Sequence, residues 1–507
     1  MKVVVIGAGV GGLFVAARLA AAGHEVTVLE RGEAVGGKLG RYARDGFVFD
    51  TGPSLLTLPR VFGDFLLLDP SRRVAGSRRD EKGWQTVEPV PLDPIVRHRF
   101  PDGAVLDSCR DPDTFAARIG AALGPAAEAE WAALWRRAGR IWDTSWRHVL
   151  RTSRSPMRQA WRLSELWAIR PGQTLRGLRV RDPRLRMFVD RYATYAGADP
   201  RRAPAALLAA AYAELAFGGW YLPGGLGTLA DALLSRLLDL GVAVHYGTAV
   251  TAIDAAGGRV HGVRAGGARF PADVVVTDVD AGDVYRDLLP TPRRLARLAD
   301  RSLSGFVLLL GMRGESGLAH HNVYFPGDYD AEFDAVFGDP GRGVRARPAP
   351  DPTVYVTVAA DPLVRPAGHE AWFVLVNAAR QGTAPDAVDW RRPGLAEAYA
   401  DRVLDVLEAR GVPVRDRLLF REVRPPGDPI YGTAASLRRP ANRGPAEGLF
   451  LVGGSVHPGG GLPLVALGAE QVASEIGGRL SGGRGGTRSG AGAGRSGIGA
   501  PRPPSPP

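Results

Sequence analysis

Residues 2–31, KVVVIGAGVGGLFVAARLAAAGHEVTVLER, leave few folds open. Residues 3–6 are an unbroken β-branched run, the mark of a strand buried on both faces. Gly7, Gly9 and Gly12 follow as G-x-G-x-x-G. In that spacing the first glycine makes a tight turn, the second lets backbone approach a diphosphate, and the third lets a helix pack close to the strand. Residues 13–22 read as an Ala/Leu-rich helix ended by Gly23 as a left-handed cap. Residues 26–29 read as a second strand, with Glu30 at its end, where a carboxylate can accept from both hydroxyls of an adenosine ribose. An acid at that place favours a free 2′-hydroxyl, so FAD or NAD over NADP. Lys2, the apolar run and Ala20 to Ala22 imitate a secretory leader, but Arg18 and the glycines interrupt it, and neither cleavage nor a membrane-spanning helix is expected.

The next stretch separates the two cofactors. ERGEAVGGKLGRYARDGFVFDTGPS supplies a second glycine pair, Gly36 and Gly37, with Lys38 and Arg41 close behind. A nicotinamide dehydrogenase would begin its next α/β unit here. This chain makes a basic Gly-rich loop instead, then a strand at 47–49 and DTGPS.

Further on, residues 60–220 are rich in Trp and Arg with helical periodicity. Strands return at 242–246, 249–253, 259–263, 268–270 and 274–277, with Gly266-Gly267 as a hairpin turn. Gly225, Gly227 and Ala230 form a second G-x-G-x-x-A before a helix and strand. That strand ends at His245 and Tyr246, with no acid for a ribose, so it reads as the helix leading back into the first domain. Residues 303–440 read as a second α/β or antiparallel-sheet domain, with strands at 305–311, 353–358 and 372–377 and a helix at 395–410. The ending LFLVGGSVHPGGGLPLVALGAEQVASEI, residues 449–476, is a strand to 452, a bare-backbone turn, and a helix opened by Pro463.

Composition narrows the partners. The net charge is +11, and four of the arginines lie in the Gly/Ser/Pro tail at 481–507, expected to be disordered. There is no zinc-finger spacing or RNA-binding signature, so nucleic acid is not expected. The single cysteine, Cys109, excludes a disulfide framework and a thiolate metal cluster, and reads as a buried thiol in a reducing cytoplasm. Trp131, Trp135, Trp142 and Trp146 fall within an arc of about 60° on one helix, and nine Arg lie between residues 136 and 170. With Trp161 and Trp167 nearby, that pattern suggests an interfacial helix, rings at the headgroups and guanidinium groups on phosphates. A stripe facing the core is the other reading. His320 and His321 tempt as a metal pair, but neighbours on a strand point apart, and no metal is expected.

These features accumulate into a resemblance. Glu30 followed by GGK and then D-x-G-P is similar to the flavin amine oxidase-like superfamily. PLDPIVRHRFPDGAVL, RYATYAGADPRRAPA, GWYLPGGLGTLADAL, HHNVYFPGDYDAEFDAVF, DPTVYVTVAADPLVRPAGHEAWFVLV and the ending together resemble the bacterial-type carotenoid (phytoene) desaturases, over residues 1–480. The resemblance implies an α/β (α+β) fold: a discontinuous Rossmann-like FAD-binding domain with an inserted substrate domain, sheet plus helical membrane-facing lid. The pieces would be 1–90, 221–290 and 441–480 for FAD, 91–220 for the substrate and lid region, and 291–440 for the substrate domain. It implies FAD held by Gly7, Gly9, Gly12, Glu30, Arg31, Gly37, Lys38, Val250 (through its backbone), Gly453, Gly454, Leu462 and Pro463. His457 would border the flavin, as a weak catalytic candidate or a loop-structuring hydrogen bond. The implied reaction removes two hydrogens from adjacent carbons of a carotenoid or other long isoprenoid, with quinone or O₂ taking the electrons. Contact with the inner face of the cell membrane follows from such a substrate. A carotenoid ketolase, terminal oxidase, isomerase or amine oxidase on the same fold, and a non-enzymatic membrane flavoprotein, are the alternatives.

Overall fold

The computed structural model describes residues 1–63, 87–152, 169–170, 172–298, 302–427 and 439–482. Trp161 and Trp167 lie outside them, as does the basic tail from residue 483.

The N-terminal run forms β1 (Lys2–Ile6), α1 (Val10–Ala21) and β2 (Glu25–Leu29). Gly23 closes the unit with φ +83°, the left-handed cap the sequence calls for. The helix starts earlier than the sequence reading had it. Only Gly7, at φ +92°, is needed for the left-handed turn, so Gly11 and Gly12 join the first helical turn. Strands Ala243–His245, Val274–Thr277 and Leu449–Leu451 complete a five-stranded parallel sheet. From one edge the order is Leu449–Leu451, Val274–Thr277, β1, β2, Ala243–His245. The chain thus returns to this sheet twice after long excursions. The strand order reverses between β1 and Val274–Thr277, the switch point where ligands bind outside the carboxyl ends of such sheets.

The sheet is covered on both faces, which explains the continuous apolar run. Val3 and Val5 pack toward α1 and the helices Thr228–Asp239 and Leu462–Gly482. Val4 and Ile6 pack toward a three-stranded antiparallel sheet, Val250–Ala256, Arg259–Ala265 and Ala268–Pro271. Its two hairpins turn at Gly257-Gly258 and Gly266-Gly267, all four with positive φ. The first turn lengthens the strand expected at 249–253 to Val250–Ala256.

A second, seven-stranded sheet runs Leu418–Arg424, Ser304–Arg313, His369–Ala378, Val354–Val358, His321–Tyr324, Arg97–Arg99, Val105–Asp107. All its pairings are antiparallel except that of His321–Tyr324 with Arg97–Arg99. Its last two strands come from a stretch read from sequence as helical. Helix Leu395–Ala409 closes one face, burying Tyr399, Val403 and Leu407 against Phe306, Leu308 and Val374.

The tryptophan stripe faces inward, which corrects the interfacial-helix expectation. Helix Pro125–Ser145 and the turn Trp146–Leu150 that continues it carry the stripe, and Trp131, Trp142 and Trp146 are each at most 3% exposed, with Trp135 half-buried. Trp131 meets Phe115 and Phe188, Trp135 meets Tyr212, and Trp142 stacks on Trp146 with Phe217 beside it. Four heavy rings on one stripe are needed because three other helices bring aromatic side chains to meet them. Among the described residues no helix is long and apolar enough to cross a membrane.

Candidate functional site

The carboxyl ends of three adjacent strands converge at one place: Gly7 after β1, Asp278 after Val274–Thr277, and Gly453 after Leu449–Leu451. Two helix N-termini arrive there too. Val465, in the first turn of Leu462–Gly482, would lie 3.1 Å from a Cβ on Gly11, and further along Glu470 faces Arg18 at 3.9 Å. The last helix and α1 therefore run side by side in the same direction, and their unsatisfied N–H groups share one end. An anion held there meets two positive dipole ends. Pro463 is buried in the first turn of the last helix, behind Leu462.

The glycines are bare because backbone presses on backbone. A Cβ on Gly12 would stand 2.1 Å from the Gly7 carbonyl oxygen, and one on Gly37 would stand 3.2 Å from the Gly9 Cα. The second glycine turn is stitched to the first, Gly36 N–H donating to the Ala8 carbonyl at 2.8 Å. Gly36 and Gly37 both have positive φ. Gly7, Gly9, Gly12, Gly36 and Gly37 thus make one surface of backbone, with Lys38 exposed at its rim.

The acid sits where the sequence reading put it. Glu30 accepts from Ala8 N–H and Gly32 N–H, each at 2.7 Å, one on each carboxylate oxygen. Each oxygen keeps a lone pair for a ribose hydroxyl. Backbone bonds lace residues 30–32 to 245–248: Glu30 N to His245 O at 2.8 Å, Gly247 N to Gly32 O at 3.0 Å, and Thr248 N to Glu30 O at 2.8 Å. Val250 follows two residues after Thr248, at the start of the strand Val250–Ala256, and Arg31 is exposed next to Glu30 in the chain. Those residues lie at the ribose end, while Gly453 stands beside Gly11 and Asp278, with Gly454 next in the chain and Leu462 and Pro463 opening the last helix. A dinucleotide fits this cradle: acid for ribose, glycine backbone and two helix termini for diphosphate.

Arg41 goes elsewhere. It pairs with Asp231 at 2.6 Å and lies over Gly227. The second glycine motif around Gly225 and Gly227 holds no nucleotide, because its amides are already taken. Leu226 N–H and Gly227 N–H donate to Asp50 at 2.7 and 2.9 Å, and Gly224 N–H donates to Asp361 at 2.7 Å. Burial pushes the Asp50 carboxyl up, against the pull of those two amides and Arg41. Tyr221 donates to Asp361 at 2.8 Å.

His457 is buried and tied to its neighbours through backbone carbonyls and Asn442. Its Nε2 donates to the Thr152 carbonyl at 2.8 Å, its own carbonyl accepts from Asn442, and it is 8% exposed. Burial lowers its pKa, leaving a neutral ring whose Nε2 proton is already committed. These contacts are those of a loop-structuring hydrogen bond. His320 precedes the strand His321–Tyr324, so strand alternation does not separate the pair, and their rings meet at 4.6 Å. Burial lowers His320 to about 4, and among the described residues no three metal-ligating side chains cluster.

Asp278 is the residue that sequence reasoning missed. Its N–H donates to Ile6 O at 2.8 Å, and its carboxylate lies among Gly9, Gly11 and Gly453. The signal was its place, first past the strand that neighbours β1 at the switch point.

The apolar side of the site is also in place. The hairpin Arg41–Arg44/Phe47–Asp50 follows directly from the cofactor loop. Phe47 and Phe49 pack on Leu309 and Phe373 of the seven-stranded sheet. Beside them Val307, Leu375 and Tyr355 stand in register across three strands, each half-buried. Ser54 is within hydrogen-bonding distance of the Tyr355 and Thr357 hydroxyls, at 3.2 and 3.0 Å.

Comparison with known proteins agrees with this geometry. Residues 10–310 match the family of flavin containing amine oxidoreductases. Among relatives, a hydroxyneurosporene desaturase from Cereibacter sphaeroides is 34% identical over 94% of this chain and 97% of that protein. A 4,4'-diapolycopene oxygenase from Methylomonas sp is 31% identical over 94% of this chain and 98% of that protein. Among solved structures, an oxidoreductase from Methanosarcina mazei superposes with a TM-score of 0.62 at 20% identity, covering 94% of this chain and 100% of that one. A putrescine oxidase gives 0.60 at 15% identity, covering 94% and 98%. At such identities the structural likeness speaks for the fold alone.

Proposed function

Since this chain belongs to the flavin-containing amine oxidoreductases and is an FAD-dependent enzyme, we propose that it desaturates a long isoprenoid polyene in carotenoid biosynthesis. The observation that carries the reading is the apolar wall of Phe47, Phe49, Val307, Leu375 and Phe373, joined directly to the cofactor loop. Its half-buried members, Val307 and Leu375, with Tyr355 beside them, can align a hydrocarbon and exclude water. FAD supplies the two-electron acceptor for the hydrogens removed. The residues that would hold it are Gly7, Gly9, Gly12, Glu30, Gly37 and Lys38 on one side and Gly453, Gly454, Leu462 and Pro463 on the other. The chain's own part is positioning: Glu30 fixes one end of the cofactor, and Ser54 with Tyr355 and Thr357 holds the wall against the cofactor loop. Delocalisation along the polyene stabilises developing charge, so no strong acid or nucleophile is required.

A polyene of this length is confined to bilayers, and the proposal therefore includes contact with the inner face of the membrane. Arg136, Arg140, Arg147 and Arg151 are exposed on the outer side of the tryptophan helix and the turn after it, a row suited to anionic headgroups. Quinone or O₂ would reoxidise the flavin.

The second reading is oxygenation of the same class of substrate, favoured by the oxygenase among the relatives. Expression in cells that accumulate a partly saturated carotenoid separates the two. Desaturation moves pigment absorption to longer wavelength with loss of hydrogen only. A carbonyl product would replace this reading by the second. Unchanged pigment in the presence of FAD-loaded protein would sink both, with a Gly9→Val protein as the flavin-free control.

A further inference from the structure

An acidic side chain stands in the seat of an anion. Asp278 is placed by the strand Val274–Thr277 beside β1, and its carboxylate reaches back over the first glycine turn. A Cβ on Gly9 would lie 2.3 Å from its Oδ2, one on Gly11 2.6 Å from its Oδ1, and one on Gly453 2.3 Å from its Oδ1. The amides of Gly11 and Gly12 lie toward it and favour its charged form. Those are the first free donors of α1, which a cofactor diphosphate needs. The carboxyl and the diphosphate are therefore close neighbours on the same donors. Two anions at hydrogen-bonding distance in a partly buried site repel strongly, whereas a neutral acid can donate to a phosphate oxygen.

We propose that Asp278 admits the FAD diphosphate as a neutral carboxylic acid, so that loading the cofactor takes up one proton. The proton comes from solvent and resides on a carboxylate oxygen of Asp278, and no covalent bond to FAD is made. The groups facing it from each neighbouring element are the Gly11 and Gly12 amides of α1, Glu30 at the end of β2, Lys38 on the second glycine turn, and Gly453 after the last strand. Burial raises its pKa to about 7, with Glu30 adding to the rise and Lys38 and the two amides opposing it. The carboxyl is thus poised to change charge near neutrality before any phosphate approaches. The inference concerns the cofactor seat alone and holds whichever polyene is the substrate.

The test is FAD binding to the deflavinated protein, followed by flavin fluorescence from pH 6 to 8.5. With the carboxyl titrating at about 7, the wild-type Kd should weaken about 30-fold across that span. Asp278→Asn, neutral throughout, should bind with a nearly flat Kd and overtake the wild type at pH 8.5. A wild-type Kd that does not change with pH, or an Asp278→Asn protein with the wild-type slope, overturns the proposal. Calorimetry needs no variant. In two buffers of different ionisation enthalpy at pH 8, binding should take up about one proton per FAD, and an uptake of zero overturns it equally.

Discussion

Gly12→Ala is the smallest change that asks whether α1 must touch the turn before it. The added Cβ would sit 2.1 Å from the Gly7 carbonyl oxygen, about 1 Å inside the approach such atoms tolerate. The turn cannot yield. Gly7 N–H is bonded to Leu29 O at 2.8 Å, and the next strand is tied on by Asp278 N to Ile6 O at the same distance. The helix must move instead, and Leu13, Phe14, Val15 and Ala16 are all fully buried behind it. Overpacking of this kind costs about 1–3 kcal/mol. Withdrawing a helix N-terminus also removes a charge-assisted bond to diphosphate, about 1.5–3 kcal/mol. The lost bond predicts FAD binding weakened by about 10- to 160-fold, and the overpacking a lowered melting temperature. Gly477→Ala is the control, a helical glycine with nothing within 4 Å of its added Cβ. Titration of deflavinated protein with FAD and thermal unfolding read both effects. A Gly12→Ala protein that binds FAD within about twofold of wild type at unchanged melting temperature would refute the close-packing argument.

Replacing Arg136, Arg140 and Arg147 by Ser should weaken sedimentation with anionic vesicles by on the order of 100-fold, whereas Trp142→Phe should leave it alone. Equal binding by the triple variant and wild type would remove the arginine row from the membrane contact. For His457→Gln, which keeps an N–H donor, we expect turnover within about tenfold of wild type and an unchanged pH profile, since a general base is worth about 100-fold or more. A larger loss with FAD content intact would return His457 to catalysis. Arg191 (4% exposed) and Glu214 (1% exposed) pair at 3.1 Å, and Glu214 also accepts from Tyr192 and Tyr195. Arg191→Met should cost about 3–5 kcal/mol of local stability, and Arg191→Met/Glu214→Leu should regain most of it. Hydrogen exchange in helices Pro183–Thr194 and Leu208–Phe217 measures this, and wild-type exchange in the single variant would contradict it.

The first thirty residues were legible because every constraint on them is local. A two-faced strand, a turn that needs Gly7, a helix stop at Gly23 and an acid at a strand end all lie within one β-α-β unit. The Gly-Gly hairpins were legible for the same reason. What sequence could not supply were contacts made across hundreds of positions. Asp278 reaches Gly9 only because the strand Val274–Thr277 pairs with β1. Asp50 finds the amides of Leu226 and Gly227, which makes a dinucleotide-like motif into a side-chain clasp. The strands Arg97–Arg99 and Val105–Asp107 depend on pairing with His321–Tyr324 and with each other, and a run of three residues carries too little pattern to announce that. The tryptophan stripe was located correctly and turned the wrong way. Helical period says which residues share a face, and Phe188, Tyr212 and Phe217, from elsewhere in the chain, decide whether that face meets water.

The hairpin after the glycine loop ties the cofactor seat to the apolar wall. Its exit is fused to the cofactor turn: Thr51 N–H donates to Gly40 O at 2.9 Å, and a Cβ on Gly52 would stand 1.8 Å from Lys38 O. Its far side is tied to the sheet and one of its loops: Val48 N–H donates to Val364 O, between two sheet strands, at 2.9 Å, and Phe47 meets Phe420 edge-on at 5.3 Å. Asp50 clasps the loop before helix Thr228–Asp239, which itself packs on α1. Backbone that touches the cofactor and aromatic rings that form the apolar wall therefore belong to one packed unit. In such a unit the distance from cofactor to wall is set by main-chain contacts that side-chain substitution cannot easily alter. The volume of the wall is set by side chains that can change without disturbing the cofactor. Substitutions at Val307 and Leu375 can therefore reshape the wall while the glycines and Glu30 stay fixed.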